Sequence, residues 1–179
     1  MRKIFATFVS ILLILTFSVN VSARDFDTPE IPFYPNSYVA GIAPKSTAGI
    51  DNENNLIYGI KPDLTDLSEY LAVTKSGVTL NYSTSIIGTG TKVYVMQGGS
   101  VIETFETVIF GDVDGDSAYN GMDAVIVKCI ASGMLTKAQV GTAQYTAADC
   151  NHDGNVDELD VDILAQSGLF LSEVSQTIK

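Results

Sequence analysis

The sequence predicts an α+β fold: a small, mainly β region with one short helix, then an all-α region of three helices built around two acidic loops. Three observations lead there. Two twelve-residue stretches, 112–123 and 149–160, carry oxygen-bearing side chains at positions 1, 3, 5, 9 and 12 and begin 37 residues apart. Each is followed by an apolar run: Ala124–Val127 with Ile130 and Ala131 after the first, and Val161, Ile163, Leu164, Leu169 and Phe170 after the second. Ahead of them, residues 56–60, 78–82, 91–97 and 101–110 alternate apolar and polar side chains or run β-branched, as strands do. A loop and its helix repeated at fixed spacing is an internal duplication.

Residues 1–23 read as a secretory signal. Arg2 and Lys3 form a charged end, Ile4 to Val19 an apolar core, and Val21-Ser22-Ala23 a small-residue cleavage site. A retained anchor is the rival reading, against which stand Thr7, Ser10 and Thr16 within the apolar core. The expected destination is extracellular, with no stable membrane insertion after cleavage. Residues 24–37, with Pro29, Pro32 and Pro35 at every third position, read as an extended linker.

Residues 38–110 read as a small β-rich module. Leu56–Ile60 and Val78–Tyr82 are expected strands. Leu64, Leu67 and Leu71 have helical spacing, with Asp63 as a candidate N-cap. Gly98-Gly99 between two strand-like runs predicts a tight type I′ hairpin. The chain from Phe105 to Gly111 alternates like a strand that leads straight into the first loop. A module of about 70 residues buries only a marginal core by itself.

The loops carry the chemistry. Oxygen ligands at 1, 3, 5, 9 and 12, with a backbone carbonyl at 7, are the spacing of an EF-hand calcium loop. The predicted ligands are Asp112, Asp114, Asp116, the carbonyl of Ala118, Asn120 and Asp123 in loop 1. In loop 2 they are Asp149, Asn151, Asp153, the carbonyl of Asn155, Asp157 and Asp160. Two Ca²⁺ ions are expected. Position 6 normally holds Gly because the backbone there turns with positive φ. Loop 2 has Gly154 but loop 1 has Ser117, which predicts weaker calcium binding in loop 1. Thr136 and Gln139 fit a capping box for a short connecting helix over about 137–143, and a last helix is expected from about Glu158 to Phe170.

Two half EF-hands, Asp rather than Glu at position 12, and the lead-in Gly111-Asp112-Val113-Asp114-Gly115-Asp116 resemble a type I dockerin module. The resemblance covers roughly residues 110–171 (a dockerin from 111 to 171 and a tail from 172 to 179). It implies a partner, the cohesin module of a scaffoldin in a cellulosome-like, polysaccharide-degrading assembly. It also implies contact residues at positions 10, 11, 17, 18 and 22. These are Gly121, Met122, Lys128, Cys129 and Gly133 in the first repeat, and Glu158, Leu159, Ala165, Gln166 and Phe170 in the second. Neither repeat has the Ser-Thr pair that many family members carry at positions 10 and 11. Residues 38–110 resemble short modules found ahead of dockerins in clostridial and ruminococcal secreted proteins, to which no activity attaches.

Charge excludes other classes. The 179 residues carry a formal charge of −11, and ten of the 21 acidic residues fall between Asp112 and Asp162. Nucleic acid and anionic membranes want basic patches instead. No nucleophile motif, metalloprotease motif or phosphate loop occurs, and the one histidine, His152, sits at position 4 of loop 2, expected to face solvent. The chain is therefore read as non-catalytic. Carbohydrate binding through Tyr38, Tyr58, Tyr70, Tyr82 and Tyr94 is a minor reading. A calcium-stabilised surface or adhesion protein without a cohesin partner is the alternative function. A calcium sensor is disfavoured by the missing entering helices. Cys129 and Cys150 are either bridged or two free thiols.

Overall fold

The computed structural model describes residues 41–169 and 171–178. All belong to one compact unit. The predicted signal, the Pro-rich linker and Phe170 lie outside the described residues. The chain is α+β. Among the described residues seven strands come first: β1 Ile42–Pro44, β2 Gly49–Asp51, β3 Leu56–Tyr58, β4 Leu71–Val73, β5 Val78–Tyr82, β6 Lys92–Gln97 and β7 Ser100–Thr107. Four helices follow: α1 Gly121–Ala131, α2 Lys137–Val140, α3 Thr142–Ala148 and α4 Glu158–Gly168. Among the described residues no helix is long and apolar enough to cross a membrane.

Strands β1 and β4 form a two-stranded ribbon, and the other five make one sheet in the order β2-β3-β7-β6-β5. The β6–β7 hairpin turns at Gly98 and Gly99, both with positive φ (60° and 83°), so Gln97 faces Ser100. Two positive φ values in a two-residue turn are the type I′ geometry that suits strand twist. Along the hairpin Val93 opposes Phe105, both buried, while Lys92 is exposed. Strand β3 pairs with β7 in parallel, Leu56 opposite Glu106 and Ile57 opposite Thr107.

That parallel pair divides the molecule into two cores. Ile57 joins the β core with Ile42, Val93, Val95, Phe105 and Ile109. Its neighbour Leu56 faces the other way, into a helical core with Val108, Phe110, Val127, Ala147 and Leu164. Period-two alternation continues past β7: Val108 to the helical core, Ile109 to the β core, Phe110 to the helical core again. Both faces of this segment are covered, so residues 108–110 contain no polar side chain. Their three amides and that of Gly111 find four different partners. Val108 N–H donates to the Ile57 carbonyl (2.7 Å), Ile109 N–H to Thr89 Oγ1 (3.0 Å), Phe110 N–H to Gln176 Oε1 (2.8 Å) and Gly111 N–H to the Ala147 carbonyl (2.8 Å). Residues 171–178, expected as a plain tail, pack through buried Val174 and the Gln176 amide, whose Nε2 also donates to the Phe110 carbonyl (2.8 Å).

Two sequence expectations are corrected. Residues 64–71 are not helical. Asp63 has φ 61°, Leu64 bridges Ile87, and Asp66 Oδ1 takes the Ser68 N–H (2.7 Å). Leu67 N–H goes to the Tyr82 hydroxyl (3.0 Å). Each of these uses a backbone group or dihedral that a helix needs, and a single turn, Leu71 N–H to the Leu67 carbonyl (2.7 Å), is all that remains. The spacing of Leu67, Tyr70 and Leu71 reported burial in the β core rather than a helix. The connecting helix is also two pieces, α2 and α3, because Gly141 has φ 102°. Gln139 does reach back to the Thr136 N–H (2.9 Å), as its capping role requires. The β1, β2 and β4 strands, three residues each, were not foreseen.

Because Phe110 is buried where strand and helices share packing, Phe110→Ala should destabilise the protein by about 3–5 kcal/mol. In urea, sheet and helix signals should still be lost together. Two separated transitions in the unaltered chain would contradict the shared packing.

Candidate metal centre and docking face

The two loops fold alike because the same positions make the same bonds. The side chain at position 12 collects the amides of positions 2 and 3. Asp123 Oδ1 accepts from Val113 (2.7 Å) and Asp114 (3.1 Å), and Asp160 Oδ1 accepts from Cys150 (2.8 Å) and Asn151 (3.1 Å). Position 3 accepts from position 5, and position 5 from position 7: Asp114 from Asp116 (3.2 Å), Asn151 from Asp153 (2.8 Å), Asp116 from Ala118 (2.9 Å), Asp153 from Asn155 (2.8 Å). Position 1 accepts from position 6: Asp112 from Ser117 (3.2 Å) and Asp149 from Gly154 (2.8 Å).

Positions 9 and 12 also start the helices. Asn120 Oδ1 accepts the Met122 N–H (2.8 Å) and Asp123 Oδ2 accepts the Asn120 N–H (2.8 Å). Asp157 and Asp160 repeat this with Leu159 N–H (2.8 Å) and Asp157 N–H (2.9 Å). Each loop thus ends in a capping box, so α1 and α4 both begin at position 10. The signal was present in the sequence as Asn or Asp followed three residues later by Asp.

Oxygen ligands of Asp112, Asp114 and Asp116 lie within 4.8 Å of one another. Asp112 and Asp123 are wholly buried, and the described residues show no Lys or Arg ion pair to the predicted ligand carboxylates, Lys128 pairing instead with Glu158 at position 10 of loop 2. Buried carboxylates crowded without a cation are costly. Burial, reinforced by the Asp123 charge and opposed by the amides of Thr89, Gly115 and Ser117, pushes the Asp112 carboxyl up to about 6. Burial likewise raises Asp123, Asp149 and Asp160. A donor set of oxygens only, with excess negative charge, fits a hard divalent cation such as calcium.

Helices α1 and α4 pack together, and their ends show them antiparallel: the Gly168 position lies against Gly121, and Lys128 forms an ion pair with Glu158. Of the predicted contact residues, Gly121, Met122, Lys128, Gly133, Glu158, Leu159, Ala165 and Gln166 are exposed, and Cys129 is half-buried. Met122 and Leu159 are 59% and 58% exposed, as is Val125 at 58%, which sequence reasoning missed. Lys128 and Glu158 face each other, so neither charge stands alone.

One further placement differs from expectation, and the cysteines and three of the tyrosines take one of the readings left open above. His152 does not face solvent: its ring packs edge-on against Phe110 (centroids 4.2 Å apart) and Nε2 meets the Ser175 carbonyl (3.0 Å). Cys129 and Cys150 are free thiols. Cys150 sits in the helical core with Sγ toward the Ala147 carbonyl, and burial drives its pKa up. Tyr70 is buried, Tyr82 packs on the β core and Tyr58 on the helical core, so these three are not an open stacking platform.

Residues 110–167 match the family model of the dockerin type I domain. No curated protein and no solved structure matches the chain. The matched part is similar to a non-catalytic docking module whose general partner is a cohesin and which generally binds calcium.

Asp112 sets a pH dependence. Its native pKa is raised above the ordinary 3.8 to about 6, so the metal-free native state holds more protons than the unfolded chain between these values. The resulting stabilisation is complete below the unfolded value and is lost as pH rises through about 6. A calcium ion held by these carboxylates would compete with the same protons. The melting temperature of calcium-stripped protein should therefore rise from pH 7 to pH 5, while the increment from added calcium shrinks. Scanning fluorimetry checks both, and a stripped midpoint that falls over this range would contradict the assignment.

Proposed function

We propose that this chain is a secreted, non-catalytic protein whose residues 110–171 bind two calcium ions and dock onto a cohesin module of a scaffoldin. The surrounding assembly would be of the cellulosome kind, in a polysaccharide-degrading setting. One observation carries the reading. Two loops with the same amide-to-carboxylate network feed two antiparallel helices whose outer faces expose Met122, Val125 and Leu159.

The first ion would be held by Asp112, Asp114, Asp116, the Ala118 carbonyl, Asn120 and Asp123. The second would be held by Asp149, Asn151, Asp153, the Asn155 carbonyl, Asp157 and Asp160. Calcium supplies positive charge where each loop gathers four carboxylates, so binding energy becomes folding energy. The protein's own part is to aim the loop amides at those carboxylates and to start both helices from the same residues. Capture of a cohesin by the full chain in calcium, lost in chelator together with helical circular dichroism, is the expected result. Unchanged helicity in excess chelator would contradict the coupling. Calcium binding without capture by any cohesin in a broad panel would favour the calcium-stabilised surface protein.

The two faces are not equivalent. Matching positions pair Gly121 with Glu158, Cys129 with Gln166 and Lys128 with Ala165, and only Met122 and Leu159 are alike. The Lys128–Glu158 pair removes lone charges from both faces, leaving apolar anchors to decide. One docking orientation should dominate, with a single central anchor. Of Met122→Asp and Leu159→Asp, one alone should weaken cohesin binding by roughly 30-fold or more, the effect of a hot-spot residue. Equal tolerance of both, with loss only in the double variant, would mean two interchangeable faces.

A further inference from the structure

What lies behind the two loops differs. In loop 2, among the described residues, Asp149 accepts amides only from its own loop, Asp153 (3.1 Å) and Gly154 (2.8 Å), and Gly154 faces open space. In loop 1, Asp112 Oδ2 also accepts the amide of Thr89, 23 residues upstream in the β region, at 2.8 Å. Ser117, buried and at φ 71°, donates its hydroxyl to the Ile87 carbonyl (2.8 Å) and accepts the amide of Asp63 (2.9 Å). The contact is backbone on backbone. A Cβ on Gly88 would stand 2.2 Å from the Gly115 carbonyl oxygen, and one on Gly115 would stand 2.6 Å from that of Thr89. Residues 87–89 are themselves held. Thr89 Oγ1 accepts the Ile109 amide and donates to its carbonyl (3.0 and 3.2 Å), and Thr107 Oγ1 donates to the Gly88 carbonyl.

We infer that residues 87–89 and Asp63 form a positioning clamp on the first calcium loop. Through Thr89 and Ser117 it holds that loop in ligand-ready form, makes it the tighter of the two sites, and couples its occupancy to the β region. This rests on the calcium reading above. It reverses what Ser117 means as a sequence feature. Glycine at that position would relieve the positive φ, but it would leave the Asp63 amide and the Ile87 carbonyl without their partner. The Ile87 carbonyl is buried and the bond to the Asp63 amide part-buried, and leaving both unmet offsets the relief of strain at one serine. A loop held before binding also loses less freedom when the ion arrives. Coupling is reciprocal, so calcium in loop 1 must stabilise the clamp in return.

The test is a calcium titration of the full ¹⁵N-labelled chain, with the Ala118 and Asn155 amides reporting loops 1 and 2. In the unaltered chain loop 1 should fill first. Ser117→Gly should weaken loop 1 by roughly tenfold, the scale of one lost buried hydrogen bond, and leave loop 2 within about twofold. Gly88→Ala, a wedge against Gly115, should act in the same direction. Hydrogen exchange of the unaltered chain needs no variant to fold: calcium should slow the Thr89 and Asp63 amides by about tenfold or more. Loop 2 filling first, unchanged or tighter loop 1 binding in Ser117→Gly, or exchange at Thr89 and Asp63 indifferent to calcium would each overturn the clamp. Absence of calcium from both loops would overturn the clamp and the calcium reading together. Clamped calcium binding without cohesin capture would support the clamp and overturn only the docking function.

Discussion

A carboxylate with no exposure to solvent, Asp112, stands where strand region, first acidic loop and helices meet. Its oxygens are held by amides from Thr89, Gly115 and Ser117, one from the β region and two from its own loop. A buried charge must be paired or richly hydrogen-bonded. Here the hydrogen bonds come from two parts of the chain at once. The β region cannot shift against the loop without stripping Asp112 of the Thr89 amide, and the loop cannot open without stripping it of the other two.

The segment just before it explains how a small sheet becomes stable. Residues 108–110 distribute their side chains alternately to two cores, and their amides to a strand carbonyl, a threonine hydroxyl and a C-terminal glutamine. A core of this size would be marginal if closed on itself. Sharing Leu56, Val108 and Phe110 with the helices buries one face of the β3–β7 pair that would otherwise meet water. The C-terminal residues contribute to the same place: Val174 fills the helical core and Gln176 satisfies both backbone groups of Phe110.

Within the helical part, economy of residues produces the symmetry. Positions 9 and 12 serve as candidate metal ligands, as helix caps and, at 12, as collectors of loop amides. The same residue types at those positions build the same network in both loops, and the two helices that follow lie antiparallel. The asymmetry comes from what each copy touches. Loop 1 leans on residues 87–89, while the sixth position of loop 2 meets nothing within 4 Å. The outer faces diverge as well, with glycine in one repeat where the other has glutamate and cysteine where the other has glutamine, though Lys128 and Glu158 meet across the helix pair and neutralise each other.

The sequence by itself determined whatever depends on local spacing. The two loops, the helices that leave them, the Gly98-Gly99 hairpin and the strands at 56–58, 78–82, 92–97 and 100–107 all follow from patterns a few residues long. It failed where a distant partner decided. Leu64–Leu71 has helical spacing, yet Ile87 and Tyr82 claim its backbone groups, and no local pattern announces that competition. Three-residue strands such as β1 and β4 exist only because each finds the other. His152 reads as a solvent-facing loop residue until Phe110 and the C-terminal segment cover it. Ser117 reads as a defect in a calcium loop. Only the tertiary structure shows its hydroxyl between Asp63 and Ile87, because a hydrogen bond to a residue 54 positions away leaves no trace in local spacing.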